Sequence, residues 1–202
     1  VGRAAKYSAD QLLDVARDVL VADGPAGVSA QAVAATLGAP SGSVYYRFAS
    51  RDLLMASLWL RSVERFQAGL FGVLDDTDAY TSALRAAQHV LTWSRTNLDD
   101  ARVLMVFRRS DLLAAGWPTE LAQRNAQQLA RVQAFLGELA HRLGATEPAD
   151  SRRVRFAVVD IPHAAAREAL LRGVAPEPEL DALVSTAARA VLAPFATRGA
   201  DR

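Results

Sequence analysis

Apolar side chains recur at three- and four-residue intervals along almost the whole chain, and runs in which every second residue is apolar are scarce. That spacing places apolar residues on one stripe of a helix, as Leu12, Leu13, Ala16, Val19 and Leu20 do. The abundance of alanine favours the same choice. Glycine, proline and short polar clusters punctuate the pattern at Gly24 to Gly27, Gly38 to Pro40, Asp75 to Thr77, Asn97 to Asp99, Gly116 to Pro118, Gly144 to Pro148 and Gly173 to Pro178. They delimit about nine helices, so the expected fold is all-α.

With 51% hydrophobic and 22% charged residues, the chain can fill a core and is not disordered. It contains no cysteine, which removes disulfides, thiolate metal sites and cysteine nucleophiles. No charge-free apolar run approaches the ~20 residues of a membrane span, and Val1-Gly2-Arg3 opens no apolar signal core. A cytoplasmic protein without membrane contact is expected. His89, His141 and His163 show no metal-ligand spacing, and nucleophile elbow, phosphate loop and dinucleotide fingerprint are missing. Neither an enzyme nor a cofactor is therefore expected. With 23 Lys and Arg against 22 Asp and Glu, any nucleic-acid contact has to rest on locally placed cations.

The N-terminal helices carry clear boundaries. Ser8 and Gln11 have the spacing of a capping box before a helix over about residues 9–23. Asp10, Asp14 and Asp18 occupy a separate face of it. Ser29 is an N-cap for a second helix that buries Val33, Ala34 and Leu37 and stops at Gly38. A short third helix carries Val44, Tyr45 and Phe48, and Ser50 caps a fourth. Two short helices across a tight glycine-containing turn make a helix-turn-helix. Its second helix offers Ser41, Gly42 and Ser43, small enough for a backbone to lie deep in a DNA groove. Tyr46, Arg47 and Arg51 supply donors for phosphates at the groove walls, and Tyr45, flanked by Val44 and three before Phe48, either joins them or packs inward.

The stretch from Val28 to Leu54, with Ser29, Gln31, Leu37-Gly38, Ser43-Val44-Tyr45-Tyr46 and Phe48, resembles the DNA-binding signature of the tetracycline-repressor (TetR) family. So does the Leu12-Leu13-x-x-Ala16 pattern ahead of it. The resemblance covers about the first 55 residues and implies a three-helix DNA-binding domain over 1–50, with a larger helical domain for effector binding and dimerisation over 51–202. It implies DNA contacts by Ser29, Gln31, Pro40, Ser41, Gly42, Ser43, Tyr45, Tyr46, Arg47 and Arg51. Three positions depart from the usual pattern: Arg51 replaces a lysine, Ser43 a threonine, and Pro40 a serine, so that the third helix lacks a side-chain cap.

Beyond Ser50, helices are expected over about 51–74, 78–96, 100–114, 118–143, 149–172 and 177–196. Pro162 interrupts one of them and removes the donor for the Val158 carbonyl. Asp160, His163 and Arg167 around that break either line a pocket mouth or form a solvated face. His89, Trp93, Phe107, Trp117, Phe135 and Phe156 are further candidates for pocket walls, with ordinary core as the alternative. In the family the last two helices pair between subunits, which implies a homodimer interface at Leu170, Leu171, Leu180, Leu183, Val184, Ala187 and Val191. The resemblance thus implies a bacterial repressor released from a palindromic DNA operator by a small, largely apolar effector. Its alternatives are a DNA-binding regulator without effector, and an all-α ligand-binding protein whose helix-turn-helix no longer reads DNA.

Overall fold

The computed structural model describes residues 7–75, 78–107 and 117–196. They form helices α1 (Ala9–Gly27), α2 (Ala30–Thr36), α3 (Gly42–Tyr45), α4 (Arg51–Phe71), α5 (Ala79–Thr96), α6 (Leu98–Val106), α7 (Thr119–Arg142), α8 (Pro148–Arg155), α9 (Ile161–Leu171) and α10 (Leu180–Leu192). A π turn over Phe156–Asp160 makes α8 and α9 one continuous rod, so the described residues hold nine rods and no strand. The all-α expectation is met. The end expected for the 100–114 helix and the Asp76-Thr77 break lie outside the described residues, as do residues 1–6.

Local chemistry sets the boundaries. Ser8 Oγ accepts from Gln11 N at 3.1 Å while Gln11 Oε1 accepts from Ser8 N at 2.9 Å, which closes the capping box. Gly24, at φ +73°, kinks α1 just where the first helix is expected to stop. Ser29 Oγ accepts from Ala32 N at 3.0 Å and caps α2, and Ser50 Oγ accepts from Leu53 N at 3.1 Å and caps α4. Gly38 ends α2 at φ +59°, a region other residues enter at a cost. No side chain caps α3, in keeping with Pro40 preceding it.

Pro162 acts differently from the expected interruption. Ile161 N–H reaches back five residues to Phe156 O, and this wider turn carries the backbone past the proline, which has no N–H to give. The rod continues as α9.

The chain divides into two compact units, residues 1–63 with 99–123, and 64–98 with 124–202. In the first, Leu12, Ala16 and Leu20 of α1, Val33 of α2, Val44 and Phe48 around α3, Leu54 and Leu58 of α4 and Val103 of α6 share one core. In the second, α5 packs on α9, α10 and the π turn. Ala83, Ala86 and Ala87 on α5 and Ala157, Ala166 and Ala188 opposite are buried, and their small side chains permit that approach. Arg95 Nη2 bonds both carboxylate oxygens of Asp181 at 2.8 and 2.7 Å, fixing the register of α5 against α10.

Candidate nucleic-acid interface

The third helix is held by two inward residues. Val44 is fully buried and Phe48 is 6% exposed, both in the first unit's core. One turn of helix cannot hide every side chain, so pinning these two turns the remainder outward. Ser41, Gly42, Tyr45, Tyr46 and Arg47 are all exposed, Tyr46 at 82%, and Ser43 is half-buried. A Cβ added at Gly42 would meet nothing within 4 Å, so this glycine is not demanded by the chain's own packing. Its smallness leaves room on the outside.

The second helix supports this front. Ala30, Val33 and Ala34 are buried, Gln31 is exposed in the first turn, and Pro40 is exposed beyond the turn. Tyr7 donates its hydroxyl to Leu37 O at 3.2 Å, tying the entry to α1 to the end of α2. The Ser29 hydroxyl oxygen accepts in the cap and keeps its O–H to donate to an anion, beside the N–H groups of that helix start.

Arg51 has work within the chain. Its Nε donates to Val28 O at 2.8 Å and its Nη2 donates to Pro25 O. It therefore clips the start of α4 to the turn between α1 and α2, with Nη1 3.9 Å from Asp52. Sequence reasoning could not find this contact, because its acceptors are backbone carbonyls distant along the chain.

The acids of α1 are answered by arginines. Asp18 pairs with Arg17 at 3.0 Å, and Asp14 pairs with Arg17 at 3.5 Å and with Arg61 at 3.0 Å. Arg61 is buried, and its Nη1 also donates to Asp10 O at 3.0 Å. Ser62 donates to buried Asp100 at 2.6 Å. Asp10, Asp14 and Asp18 of α1 are thus each within ion-pair distance of an arginine.

The residues expected to line a pocket fall in separate places. His89 and Trp93 come together on α5 around Phe66 of α4, with ring centroids 5.1 and 5.3 Å from it. His89 Nε2 bonds Phe66 O at 3.0 Å, and burial pushes the imidazole pKa down, so it is neutral near pH 7. Phe107 and Trp117 belong to the first unit, where Trp117 meets Trp59 edge-on at 6.3 Å. Phe156, Asp160 and His163 are exposed on the α8–α9 rod, with Asp160 3.6 Å from Arg155. Of the residues expected at a dimer interface, Leu170 and Val184 are covered by the chain's own core. Leu180, Ala187 and Val191 are half-buried, while Leu171 and Leu183 are exposed, as are Val174 and Phe156.

A short outward helix, held from behind and preceded by a capped supporting helix, defines a helix-turn-helix DNA-binding domain. Residues 12–58 match the model of the family described as bacterial regulatory proteins, tetR family. No curated protein sequence matches the chain. Among solved structures, a TetR-like transcriptional regulator from Rhodococcus sp. RHA1 is 22% identical with a TM-score of 0.65, covering 96% of this chain and 98% of that one. The fatty acid degradation regulator FadR from Bacillus halodurans is 18% identical with a TM-score of 0.67, covering 92% and 98%. FadR from Bacillus subtilis, solved in complex with stearoyl-CoA, is 15% identical with a TM-score of 0.65, covering 94% and 98%. These likenesses extend the TetR fold over nearly the whole chain. Among the described residues, no helix is long and apolar enough to cross a membrane.

Proposed function

We propose that the protein is a homodimeric repressor, acting in the cytoplasm, that grips a palindromic DNA operator through α2 and α3 and lets go when a small, largely apolar effector binds its larger helical part. The observation that carries this is the α3 front: Ser41, Gly42, Tyr45, Tyr46 and Arg47 are all exposed on a helix anchored by Val44 and Phe48. Ser41 to Ser43, with Pro40 and Gln31 at the edges, lie against base edges in the major groove. Tyr45, Tyr46, Arg47 and the N-terminus behind Ser29 hold phosphates. Arg51 holds the α1–α2 turn in place, and a phosphate contact by it would come from the partly exposed guanidinium beside Asp52.

Functionally, residues 1–50 read DNA and 51–202 bind effector and the second subunit. Reading a palindrome takes two copies of α3 about 34–36 Å apart. The exposed Leu171 and Leu183 supply the apolar surface that pairs the copies. An effector lowers operator affinity only by binding the DNA-incompetent arrangement more tightly.

A gel shift with the DNA upstream of the protein's own gene, against a scrambled duplex, tests the reading. The expected result is a shift specific to the upstream duplex, with a twofold-symmetric protected site. Equal binding to both duplexes would refute operator recognition. A specific complex that no small molecule dissociates would leave the regulator without an effector.

A further inference from the structure

The α4–α7 seam of the second unit buries polar groups that its own fold does not use. Its register follows from three contacts. Arg124 Nη2 bonds Glu64 Oε2 at 2.9 Å, and Phe71 meets Phe135 with centroids 5.7 Å apart, while the Arg131 guanidinium carbon lies 4.7 Å from the Phe71 centroid. Glu64 to Phe71 and Arg124 to Arg131 each climb about 10 Å, so these segments run side by side in the same direction. Residues three or four apart share a helical face. Gln67 lies three residues after Glu64, and Gln128 lies four after Arg124. They occupy the same face at heights within about 2 Å of each other, between the ion pair and the aromatic pair.

Both glutamines are turned inward, at 7% and 9% exposure, and Oε1 of each is buried without a hydrogen-bond partner. A buried polar atom left unpaired costs about 1–3 kcal/mol, and two at one level of one seam is an unusual arrangement for a fold to retain. Leucine at both sites would fill such a seam without that cost.

We propose that Gln67 and Gln128 form a hydrogen-bonding subsite for the effector, and that they select a small, mostly apolar molecule bearing a neutral donor group, a hydroxyl or a primary amide. The amides are uncharged, and the charged groups that set the register are engaged elsewhere: Glu64 pairs with Arg124, and Arg131 lies over Phe71. A neutral donor satisfies the two oxygens without an uncompensated buried charge, whereas a carboxylate would oppose them. Phe71 and Phe135 lie above the glutamines and supply apolar contact for the rest of the molecule. The subsite rests on the effector-binding reading above and gives that effector its polar chemistry.

The test uses the full chain without DNA, which separates it from operator recognition. Calorimetric titration compares octanamide and 1-octanol with octanoate, for the wild type, Gln67→Leu, Gln128→Leu and Gln127→Leu, the last at an exposed site on the same helix. The amide and the alcohol are expected to bind about tenfold or more tightly than octanoate, with that preference lost in Gln67→Leu and Gln128→Leu and kept in Gln127→Leu. Both seam variants are also expected to melt at or above the wild-type temperature, since each removes an unpaired acceptor, so lost binding would not reflect lost folding. Equal affinity for the three probes, failure of all of them to bind, or a preference unchanged in both seam variants would overturn the subsite. Failure to bind DNA in the gel shift would overturn the regulator reading and leave the titration result standing.

Discussion

Arg51 and Val28, 23 residues apart, are joined by a 2.8 Å bond from guanidinium Nε to carbonyl oxygen, with a second bond from Nη2 to Pro25 O. This clip makes one side chain at the head of α4 responsible for the turn from which α2 starts. Arg51→Lys keeps the charge but cannot span two carbonyls with one compact ammonium. It is expected to lose about 1–2 kcal/mol in urea denaturation and to bind operator more weakly. A pure phosphate contact would instead let lysine serve nearly as well, so wild-type stability in Arg51→Lys would remove the clip from the account.

Arg61 is buried and bonds Asp14 at 3.0 Å and the Asp10 carbonyl at 3.0 Å. Arg61→Met is expected to cost about 2–4 kcal/mol, because it leaves Asp14 with less compensation and Asp10 O without this donor. Denaturant melts of the variant check this, and they should show an unchanged m-value.

The His89 imidazole is held below its ordinary pKa by burial, against the opposing effect of its bond to Phe66 O. The unfolded chain therefore takes up a proton that the folded chain resists. The contribution of His89 is complete above the unfolded pKa of about 6.5 and declines as the pH falls through it. His89→Gln can keep a donor for Phe66 O and has no titration. Subtracting its stability from that of the wild type between pH 7.5 and 5 should give a difference that moves against the wild type as the pH falls. A flat difference would mean that the imidazole is not shielded.

Leu183 is 65% exposed on α10 and Leu171 is 49% exposed on α9. Leu183→Glu should turn a dimer into a monomer in sedimentation velocity at micromolar concentration, with helicity unchanged. A wild type that is already monomeric there would contradict the paired state.

Much of this was legible in the sequence wherever the cause is local. Ser8 with Gln11, Ser29, Gly38 and Ser50 mark boundaries through bonds or dihedrals within a few residues, and the structure keeps them. Pro162 misled in part: its missing donor is a local fact, but the answer, a π turn reaching from Ile161 to Phe156, depends on the packing of a whole rod. Leu170 and Leu171 are adjacent and chemically alike, and only the fold puts the first inside and the second outside. Gln67 and Gln128 passed unnoticed because a glutamine at helical spacing reads as a solvated residue. Arg51 looked like a phosphate ligand because nothing in its neighbourhood along the chain announces two carbonyls as partners.

The most direct measurement is the operator affinity of Tyr46→Ala by fluorescence anisotropy, beside its thermal melt. Tyr46 is 82% exposed, so its loss should leave the melting temperature within about 2 °C of wild type. The account predicts that operator affinity falls about tenfold or more. Undiminished affinity in a folded Tyr46→Ala protein would show that the outward face of α3 is not what meets DNA.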